Sequence, residues 1–505
     1  MSTARRAALL ALLVVSACAK HPAAAPPEVI VTGSAGGRVA LDPGVLRGAF
    51  AKLLDQAGLP APGPVMAVVI PHAGLHFSGA AAASALAAVR DRKIARVVLL
   101  APGHPALKPG EVDVPAAQTF RTPLGDVPVD ATAVAYLARQ GGVRRSDAPF
   151  AHEHSVGAVL PLLQIALGST PLVPVAVGAI DAAGARALAA ALRPLVDSST
   201  LVVVSTNLTH AGPRFHNGMF GDAQGAALAA RIRQADEILL QPALRDELPA
   251  FDALARSTHT TLCGQDAVRV LLALLPPGSK GVVRAYDNSF NHDAAEGKDE
   301  VSYAGIAFAG RWPDLPPLPE ADRSALLGAA RAALAAALAP GPPPAPPLDS
   351  PALVAKRGVF VTLFEHGAVR ASVGQVSSDA ALGRTLVDVA TAAVGGDPRF
   401  PPLARGDLGS LGVEVAVLGP LHALGVDEPF DPAHDGLYLS APGHTAVLLP
   451  DPLAPAPTLA VARAALAKKA DLAEASWPKG ALSRFEVQTL SDLAGPPAKT
   501  RDAGR

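Results

Sequence analysis

Four short runs of apolar residues, each followed by a polar or glycine-containing turn, constrain the fold of this chain more than any other feature of its sequence. They occupy residues 65–70, 96–101, 172–177 and 201–205. A mostly apolar run of five or six residues has the length of a strand that is buried on both faces of a sheet. The alanine-rich segment that follows the first run, residues 78–89, predicts a helix. The pattern therefore predicts an α/β fold with helices on the faces of a sheet.

A proline-rich stretch at residues 312–319 predicts a domain boundary, and 505 residues are too many for one ordinary hydrophobic core. Beyond it, helix and strand patterns alternate at residues 321–339, 358–363, 380–394 and 413–418, which predicts an α+β module. We therefore expect a first domain over residues 28–312, a linker at 313–319, a second domain over 320–490 and a disordered tail at 491–505.

The composition is that of a globular protein without a nucleic-acid partner. Half of the residues are hydrophobic and 17% are charged, which supplies enough apolar material for buried sheets. The formal net charge is −1, so no electrostatic attraction to a phosphate backbone is expected.

The first 18 residues have the order of a secretory signal. Arg5 and Arg6 precede an apolar run at residues 7–15, and Ser16-Ala17-Cys18 closes it. A cysteine directly after small residues resembles a bacterial lipobox, which predicts cleavage before Cys18 and lipidation of its sulfur. An ordinary signal peptide or a cytosolic start remains the alternative.

Residues 19–27, rich in proline and alanine, then predict a tether between lipid and domain. In the lipoprotein pattern an aspartate after the cysteine favours the inner membrane, and this chain has Ala19 there. We therefore expect a cell-envelope protein, held in the outer membrane by its lipid and facing the periplasm. Cys263 is then the one thiol left, which is buried and inert, a redox target or a metal ligand.

Three of the four predicted strands run into turns that carry histidine. His72 follows the first, His104 follows the second, and the segment 205–210 with His210 follows the fourth. A single histidine after a strand is more often a hydrogen-bonded turn residue than a ligand, and a single cysteine is more often core filler. Because strand ends meet at one edge of a sheet, the coincidence favours a site built from imidazoles and the Cys263 thiolate, which are good ligands for zinc, copper or iron.

The spacing of these residues is not that of a zinc finger or ribbon, because no Cys-x-x-Cys pair accompanies the close pair His72 and His76. Folding must assemble the site, which favours open coordination positions over a closed structural clip. His76 is expected on the pocket wall or the surface.

Six motifs in order resemble the Memo family across residues 28–312. They are Pro71-His72-Ala73-Gly74 with Ser78-Gly79, Gly103-His104, Glu153-His154-Ser155 with Leu160-Pro161, the segment 205–210, Cys263-Gly264 and Val301-Ser302-Tyr303-Ala304-Gly305. The resemblance implies a fold like that of class III extradiol dioxygenases and a copper or iron ion. It implies that His72, His104 and Cys263 bind the metal and that Asn207 and His210 line the same pocket.

This chain departs from the family pattern at three positions. Asn207 stands where aspartate is usual, and Gly157 and Val159 stand where glutamate and glutamine are common. An amide cannot replace the carboxylate as an anionic ligand or proton acceptor. Catalysis that needs such a base is therefore in doubt, and His210 or His154 is the predicted proton carrier.

The second module resembles the AMMECR-type domain over residues 318–490. The resemblance rests on Arg357-Gly358-Val359-Phe360, Asp397-Pro398-Arg399-Phe400-Pro401-Pro402, His434-Asp435-Gly436-Leu437 and Arg484-Phe485-Glu486-Val487-Gln488. The family's cysteine is replaced in Arg370-Ala371-Ser372-Val373-Gly374, so thiol chemistry is not carried over. The Asp397 segment predicts a rigid turn in which Arg399 pairs with a carboxylate.

In many genomes members of these two families occur beside a radical-SAM protein, a grouping called AmmeMemoRadiSam, so the resemblance implies such a protein as partner. The sequence thus predicts a metal-binding envelope lipoprotein, with redox or dioxygenase-like activity on an unidentified small molecule as one implication. A non-catalytic binding or scaffold protein with a vestigial pocket is the alternative. A hydrolase is disfavoured because no Gly-x-Ser-x-Gly elbow is present.

Overall fold

The computed structural model describes residues 29–32, 42–58, 60–61, 63–104, 107–151, 153–293, 297–339, 341–424, 430–431, 434–450, 458–478 and 480–492. The predicted signal peptide with Cys18, the tether at 19–27 and the tail beyond Asp492 lie outside these residues. No helix among the described residues has both the length and the apolar character needed to cross a bilayer.

The first domain alternates strands and helices. Its strands are β1 (Val29–Val31), β2 (Val65–Ile70), β3 (Arg96–Pro102), β4 (Val112–Val114), β5 (Thr119–Thr122), β6 (Gly125–Pro128), β7 (Val143–Arg145), β8 (Leu172–Val177), β9 (Thr200–Ser205), β10 (His210–Ala211), β11 (Lys280–Asn288) and β12 (Glu300–Ala309). Its helices are α1 (Pro43–Gln56), α2 (Leu75–Ala87), α3 (Ala131–Leu137), α4 (Ala148–Ala151), α5 (His154–Gly157), α6 (Leu160–Leu167), α7 (Ala182–Leu192), α8 (Gly225–Leu244), α9 (Leu248–Ser257) and α10 (Gln265–Leu274).

A nine-stranded sheet organises this domain within the described residues, in the order β10-β12-β2-β9-β3-β8-β4-β7 with β11 against β12. The central strands β2, β9, β3 and β8 are parallel neighbours. Every residue of β2, β8 and β9 is buried. Helix α2 packs on β2 and β12, and helix α10 packs on β3 and β9, so helices cover the centre of the sheet. The predicted α/β architecture is confirmed.

The four predicted strands agree with the structure to within one residue at their ends, but helix α2 begins earlier than expected. The prediction placed its start at Ser78, whereas it begins at Leu75. The carbonyl of Gly74 accepts from the backbone N–H groups of Phe77 and Ser78, so the first turn already closes there.

The second domain is an α+β unit, as predicted. Its strands are β13 (Gly358–Glu365), β14 (Ala368–Gln375), β15 (Leu411–Leu418), β16 (His422–Ala423), β17 (Asp435–Ala441), β18 (His444–Leu448) and β19 (Leu482–Ser491); its helices are α11 (Glu320–Ala337), α12 (Pro351–Val354), α13 (Leu382–Ala392) and α14 (Leu459–Ala470). The described strands form an antiparallel sheet in the order β14-β13-β15-β19-β17-β18, with β16 against β19.

The proline-rich stretch at the boundary is packed against the second domain. The backbone N–H of Leu315 donates to Glu486 at 2.9 Å, and that of Leu318 donates to Gln488 at 3.0 Å. Trp312, its first residue, is buried in the first core and donates its indole N–H to the carbonyl of Met66. The two cores therefore meet across a short segment whose backbone groups are paired.

The domain junction lies at the edge of the first sheet where strands β9 and β3 begin. Arg357 of the second domain pairs with Asp197 at 3.1 Å, and the N–H of Ser198 donates to the carbonyl of Pro313 at 3.1 Å. Both first-domain residues immediately precede β9. None of these contacts between described residues lies at the opposite edge of the sheet, where the strands end.

The start of the predicted disordered tail needs correction. Ser491 is the last residue of β19 and is registered with Glu414 of β15. Asp492 accepts from the backbone N–H of Val413 and pairs with Arg331. Ser491 and Asp492 are therefore part of the folded domain, although their polarity predicted that they belong to the tail.

Candidate metal centre

The predicted histidines lie together because strands β2, β3 and β9 end in register. Ile70 is opposite Ser205, and Leu100 is opposite Val204. His72 follows the end of β2 by two residues, and His104 follows the end of β3 by two residues. His104 has a φ of 26°, a left-handed conformation that costs energy for a non-glycine residue. The turn holds this imidazole in place at the expense of backbone strain.

His72 is buried and its tautomer is fixed by hydrogen bonds. Its Nδ1 lies 2.9 Å from Ser205 Oγ, and that hydroxyl donates to the carbonyl of Ser155 at 2.7 Å. Because the hydroxyl proton is already engaged, Ser205 accepts from the Nδ1–H of His72. In the neutral ring the proton is therefore on Nδ1, and Nε2 lies 3.3 Å from Cys263 Sγ.

Cys263 lies in the turn before α10, against the end of β9. Its Sγ accepts from the backbone N–H of Asn207 at 3.1 Å. The close approach requires the next residue to be glycine, since a Cβ on Gly264 would lie 2.5 Å from Cβ of Thr206. The Gly264 N–H then donates to Thr206 Oγ1 at 2.8 Å, which locks the turn that carries the thiol.

His104 is oriented by a carboxylate. Its Nδ1 lies 2.8 Å from Oε1 of Glu153, a buried residue that also accepts from the N–H of Ser155. Burial lowers the pKa of His104, but hydrogen bonds to Cys263 and Glu153 and their charges outweigh it and raise the pKa to about 9. The same contact with His104 lowers the pKa of Glu153 against the effect of its burial. A carboxylate behind an imidazole is the usual support of a histidine ligand.

One ligand atom from each of His72, His104 and Cys263 lies within 4.8 Å of the others. The two imidazole rings are perpendicular, with centroids 5.5 Å apart. Imidazole nitrogen and thiolate sulfur bind a metal ion at about 2.0 to 2.3 Å, so ligand atoms at these separations are close enough to share one ion. The donor set fits one metal ion.

A second group, His104, Glu153 and His154, also has its ligand atoms within 4.8 Å of one another. Its two rings, however, are stacked, with centroids 4.7 Å apart and planes 11° from parallel. An ion in the plane of one ring therefore lies well outside the plane of the other. This geometry fits an orienting role for Glu153 and a packing role for His154, whose Nδ1 lies 3.2 Å from Glu153.

Asn207 and His210 lie on the segment that follows β9. The side-chain oxygen of Asn207 accepts from the backbone N–H of His72 at 3.0 Å. Nδ1 of His210 lies 3.0 Å from the carbonyl of Leu208 and 3.1 Å from that of Thr261. Carbonyls only accept, so Nδ1 is protonated and Nε2 of the neutral ring is a proton acceptor. Burial lowers the pKa of His210, which favours this neutral form.

The remaining predicted positions lie outside the donor set. His76 is exposed on α2, in contact with His292. Val159 is fully buried in the first core. Glu153 and Ser205 support His104 and His72, and their roles were not inferred from the sequence because each acts on a histidine far away along the chain.

The second domain has a polar cluster of a different kind. The carboxylate of Asp397 accepts from the N–H of Ser372 at 2.8 Å and from Arg399 Nε and Nη2 at 2.9 and 2.7 Å. The predicted pairing of Arg399 with a carboxylate is confirmed. These hydrogen bonds close a turn, and the residues offer no converging ligand atoms.

Two family models match separate regions of this chain. The family model described as Memo-like protein matches residues 35–307, and the model described as AMMECR1 matches residues 327–490. Protein MEMO1 of Danio rerio is 30% identical over 222 residues, which cover 42% of this chain and 72% of that protein. A MEMO1 family protein of Thermococcus onnurineus is 26% identical over 257 residues, covering 48% and 87% respectively.

Among solved structures, the crystal structure of an uncharacterized protein from Pyrococcus horikoshii is 26% identical in sequence. The match covers 32% of this chain and 87% of the Pyrococcus horikoshii chain, with a TM-score of 0.28.

Proposed function

This chain belongs to the Memo-like protein family, and an AMMECR1 domain follows its Memo-like domain along the chain. From that premise we propose that the first domain is a copper-binding redox centre. His72, His104 and Cys263 would hold the ion. The observation that carries the proposal is the convergence of their three ligand atoms within 4.8 Å.

The donor types favour copper over iron. Two imidazoles and a thiolate are the ligands of copper centres, whereas non-haem iron commonly takes two histidines and a carboxylate. The carboxylate in this region, Glu153, is 2.8 Å from Nδ1 of His104 and is engaged in orienting that ring. When bound, copper supplies one-electron redox chemistry, and the protein sets its geometry and potential.

The fold proposed by resemblance is that of class III extradiol dioxygenases, but the residues support a narrower activity. The Asn207 amide oxygen accepts from the His72 backbone, and the amide supplies no proton-accepting carboxylate. The neutral His210 ring offers Nε2 as acceptor for a single proton, with Nδ1 held by two carbonyls. We therefore propose a transfer of one electron and one proton from a small reductant that carries an O–H or S–H group, in preference to base-catalysed ring opening. The electron would go to the bound copper(II) and the proton to Nε2 of His210.

Metal analysis of the purified chain tests the proposal. We expect about one copper per chain, with a thiolate-to-copper absorption band, and loss of both in His72→Ala and Cys263→Ser. His434→Ala is the matched control, because His434 is exposed in the second domain. A chain that takes up no copper would instead support the non-catalytic scaffold. A Cys263→Ser variant that keeps its copper and its band would show that Cys263 is not a ligand and overturn the proposed site.

For location, we propose an outer-membrane lipoprotein anchored through Cys18, supported by the order of charged, apolar and small residues before it. Mass spectrometry of the mature N-terminus should find the lipid on Cys18 and none in Cys18→Ala. A radical-SAM protein is the proposed partner by resemblance alone, and co-purification of the two tests it. A mature chain that retains residues 1–17 would overturn the anchor.

A further inference from the structure

A buried carboxylate lies behind the site, on helix α8. Asp236 is 1% exposed, and three hydroxyl groups donate to it. The distances are 2.6 Å from Thr209, 2.6 Å from Ser302 and 2.7 Å from Tyr286. Burial raises the pKa of Asp236 while these hydroxyls lower it, so the bonds offset part of the cost of burying the group. These three short hydrogen bonds come from the segment after β9, from β11 and from β12, so they hold the Asp236 carboxylate in one position.

Two of the three hydroxyls belong to residues that hold the segment after β9 in place. The N–H of Leu208 donates to the carbonyl of Ser302 at 2.9 Å, and the N–H of Ser302 donates to the carbonyl of Thr209 at 3.0 Å. Asp236 therefore ties the side chains of the two residues whose backbones already pair. The segment cannot shift along β12 without breaking bonds to the carboxylate.

The other end of this segment touches the sulfur. The N–H of Asn207 donates to Cys263 Sγ at 3.1 Å, and the segment between Asn207 and Thr209 is only one residue long. A hydrogen bond to a ligating sulfur withdraws electron density from it and tunes the potential of the metal. A shift of Thr209 would therefore move Asn207 as well, because only Leu208 separates them, and would change the length of the Asn207 N–H···Sγ hydrogen bond.

We infer that Asp236 is a positioning residue for the metal centre: through Thr209 and Ser302 it fixes the distance of the N–H···S hydrogen bond from Asn207 to Cys263. The inference rests on the proposed copper site and deepens it. Asp236 does not touch the metal, and its effect is on the electron density of the thiolate.

The test uses the full chain with Asp236→Asn, which keeps the shape of the side chain but places an amide among three hydroxyl donors. With copper(II) bound, the thiolate-to-copper band should move to longer wavelength and the reduction potential should fall, because a lengthened N–H···S bond leaves the sulfur more electron-rich. Copper should still bind at one ion per chain. Thr209→Val and Tyr286→Phe each remove one donor and should shift the band less.

A second readout needs no metal. Hydrogen exchange of the metal-free chain, followed on a peptide spanning residues 203–211, should be at least tenfold faster in Asp236→Asn, while a peptide spanning β8 is unchanged. Asp322→Asn is the control, because Asp322 is a buried carboxylate bonded to a serine hydroxyl in the second domain.

The outcomes separate the two claims. Faster exchange in a chain that never binds copper would remove the proposed function and retain the positioning role of Asp236. An unshifted band and unchanged exchange, with copper bound, would overturn the inference alone. If Asp236→Asn does not fold, the same criteria apply to Thr209→Val and Tyr286→Phe.

Discussion

The two domains each have a polar cluster, and the clusters differ in how their polar atoms are used. In the second domain, Asp397 faces hydrogen-bond donors, Arg399 and the N–H of Ser372. In the first, Nε2 of His72 faces the sulfur of Cys263, and both atoms are potential metal ligands. A carboxylate surrounded by donors stabilises a turn, whereas acceptors that face one another are stable together only with a proton or a cation between them. The Asp397 cluster is therefore satisfied by the protein's own donors, whereas the His72–Cys263 cluster has the donor atoms of a candidate metal site.

The largest expected effect is the loss of copper affinity when Cys263 is replaced. Cys263→Ser should weaken copper binding on the order of 1,000-fold, about 4 kcal/mol, because the softest of three ligands is lost. The free energy of unfolding of the metal-free chain should change by less than about 1 kcal/mol. Competition titration with a copper chelator and urea denaturation measure the two effects. A large loss of stability without copper would place Cys263 among structural residues.

The second prediction breaks the structural cluster. Asp397→Ala leaves the N–H of Ser372 and the Arg399 guanidinium without their acceptor, so the second domain should lose about 2 kcal/mol of unfolding free energy. Copper affinity should be unchanged. Hydrogen exchange of peptides from β14 and β15 measures the loss, with peptides from β2 as the internal control. An altered copper affinity would contradict the separation of the two clusters.

The third prediction concerns the orienting carboxylate of the first domain. Glu153→Gln keeps an oxygen acceptor for His104 but removes the charge, and loss of such support typically costs about 10-fold or more in metal affinity. The expected change is therefore smaller than for Cys263→Ser. The same chelator titration measures it, and Glu474→Gln, at a partly exposed salt bridge of the second domain, is the matched control. Equal losses in Cys263→Ser and Glu153→Gln would make Glu153 a ligand.

The smallest expected effect is a pH dependence of the structural cluster. The hydrogen bond from Arg399 holds the pKa of Asp397 well below its usual range, against the effect of desolvation. The folded pKa is lower than the unfolded pKa of about 4, so the stabilisation is present above pH 4 and is lost as the pH falls toward the folded value. Unfolding of the second domain, followed from pH 6 to pH 2, should show this loss, and Asp397→Asn should show a flatter profile.

The sequence predicted the centre of the first sheet well and its rim poorly. Strands β2 and β8 are fully apolar, and burial on both faces leaves this pattern in the sequence itself. Strand β4 contains Asp113, which is completely buried and pairs with Arg144 of β7. The partner that allows this charge to be buried is 31 residues away. Local patterns cannot supply such a partner, so short rim strands were missed.

The same limit applies to the site. His72, His104 and Cys263 were predicted from strand-to-turn junctions and from family resemblance, and the structure brings them together. The residues that orient them act over long sequence separations, with Glu153 49 residues from His104 and Ser205 133 residues from His72. In the local sequence, Glu153 is an ordinary helix N-cap and Ser205 is the last residue of a strand, and neither pattern indicates contact with a histidine.

The domain junction and the candidate metal site lie at opposite ends of strand β9. Arg357 and Asp197 meet where β9 begins, whereas Cys263 lies against its other end. A strand advances about 3.3 Å per residue, so the six residues of β9 keep these points roughly 20 Å apart. The contact that Arg357 makes with the first domain therefore does not cover the end of β9 where Cys263 lies. Strand β9 joins the two points, which makes a shift of this strand along its length a direct route between the second domain and the site.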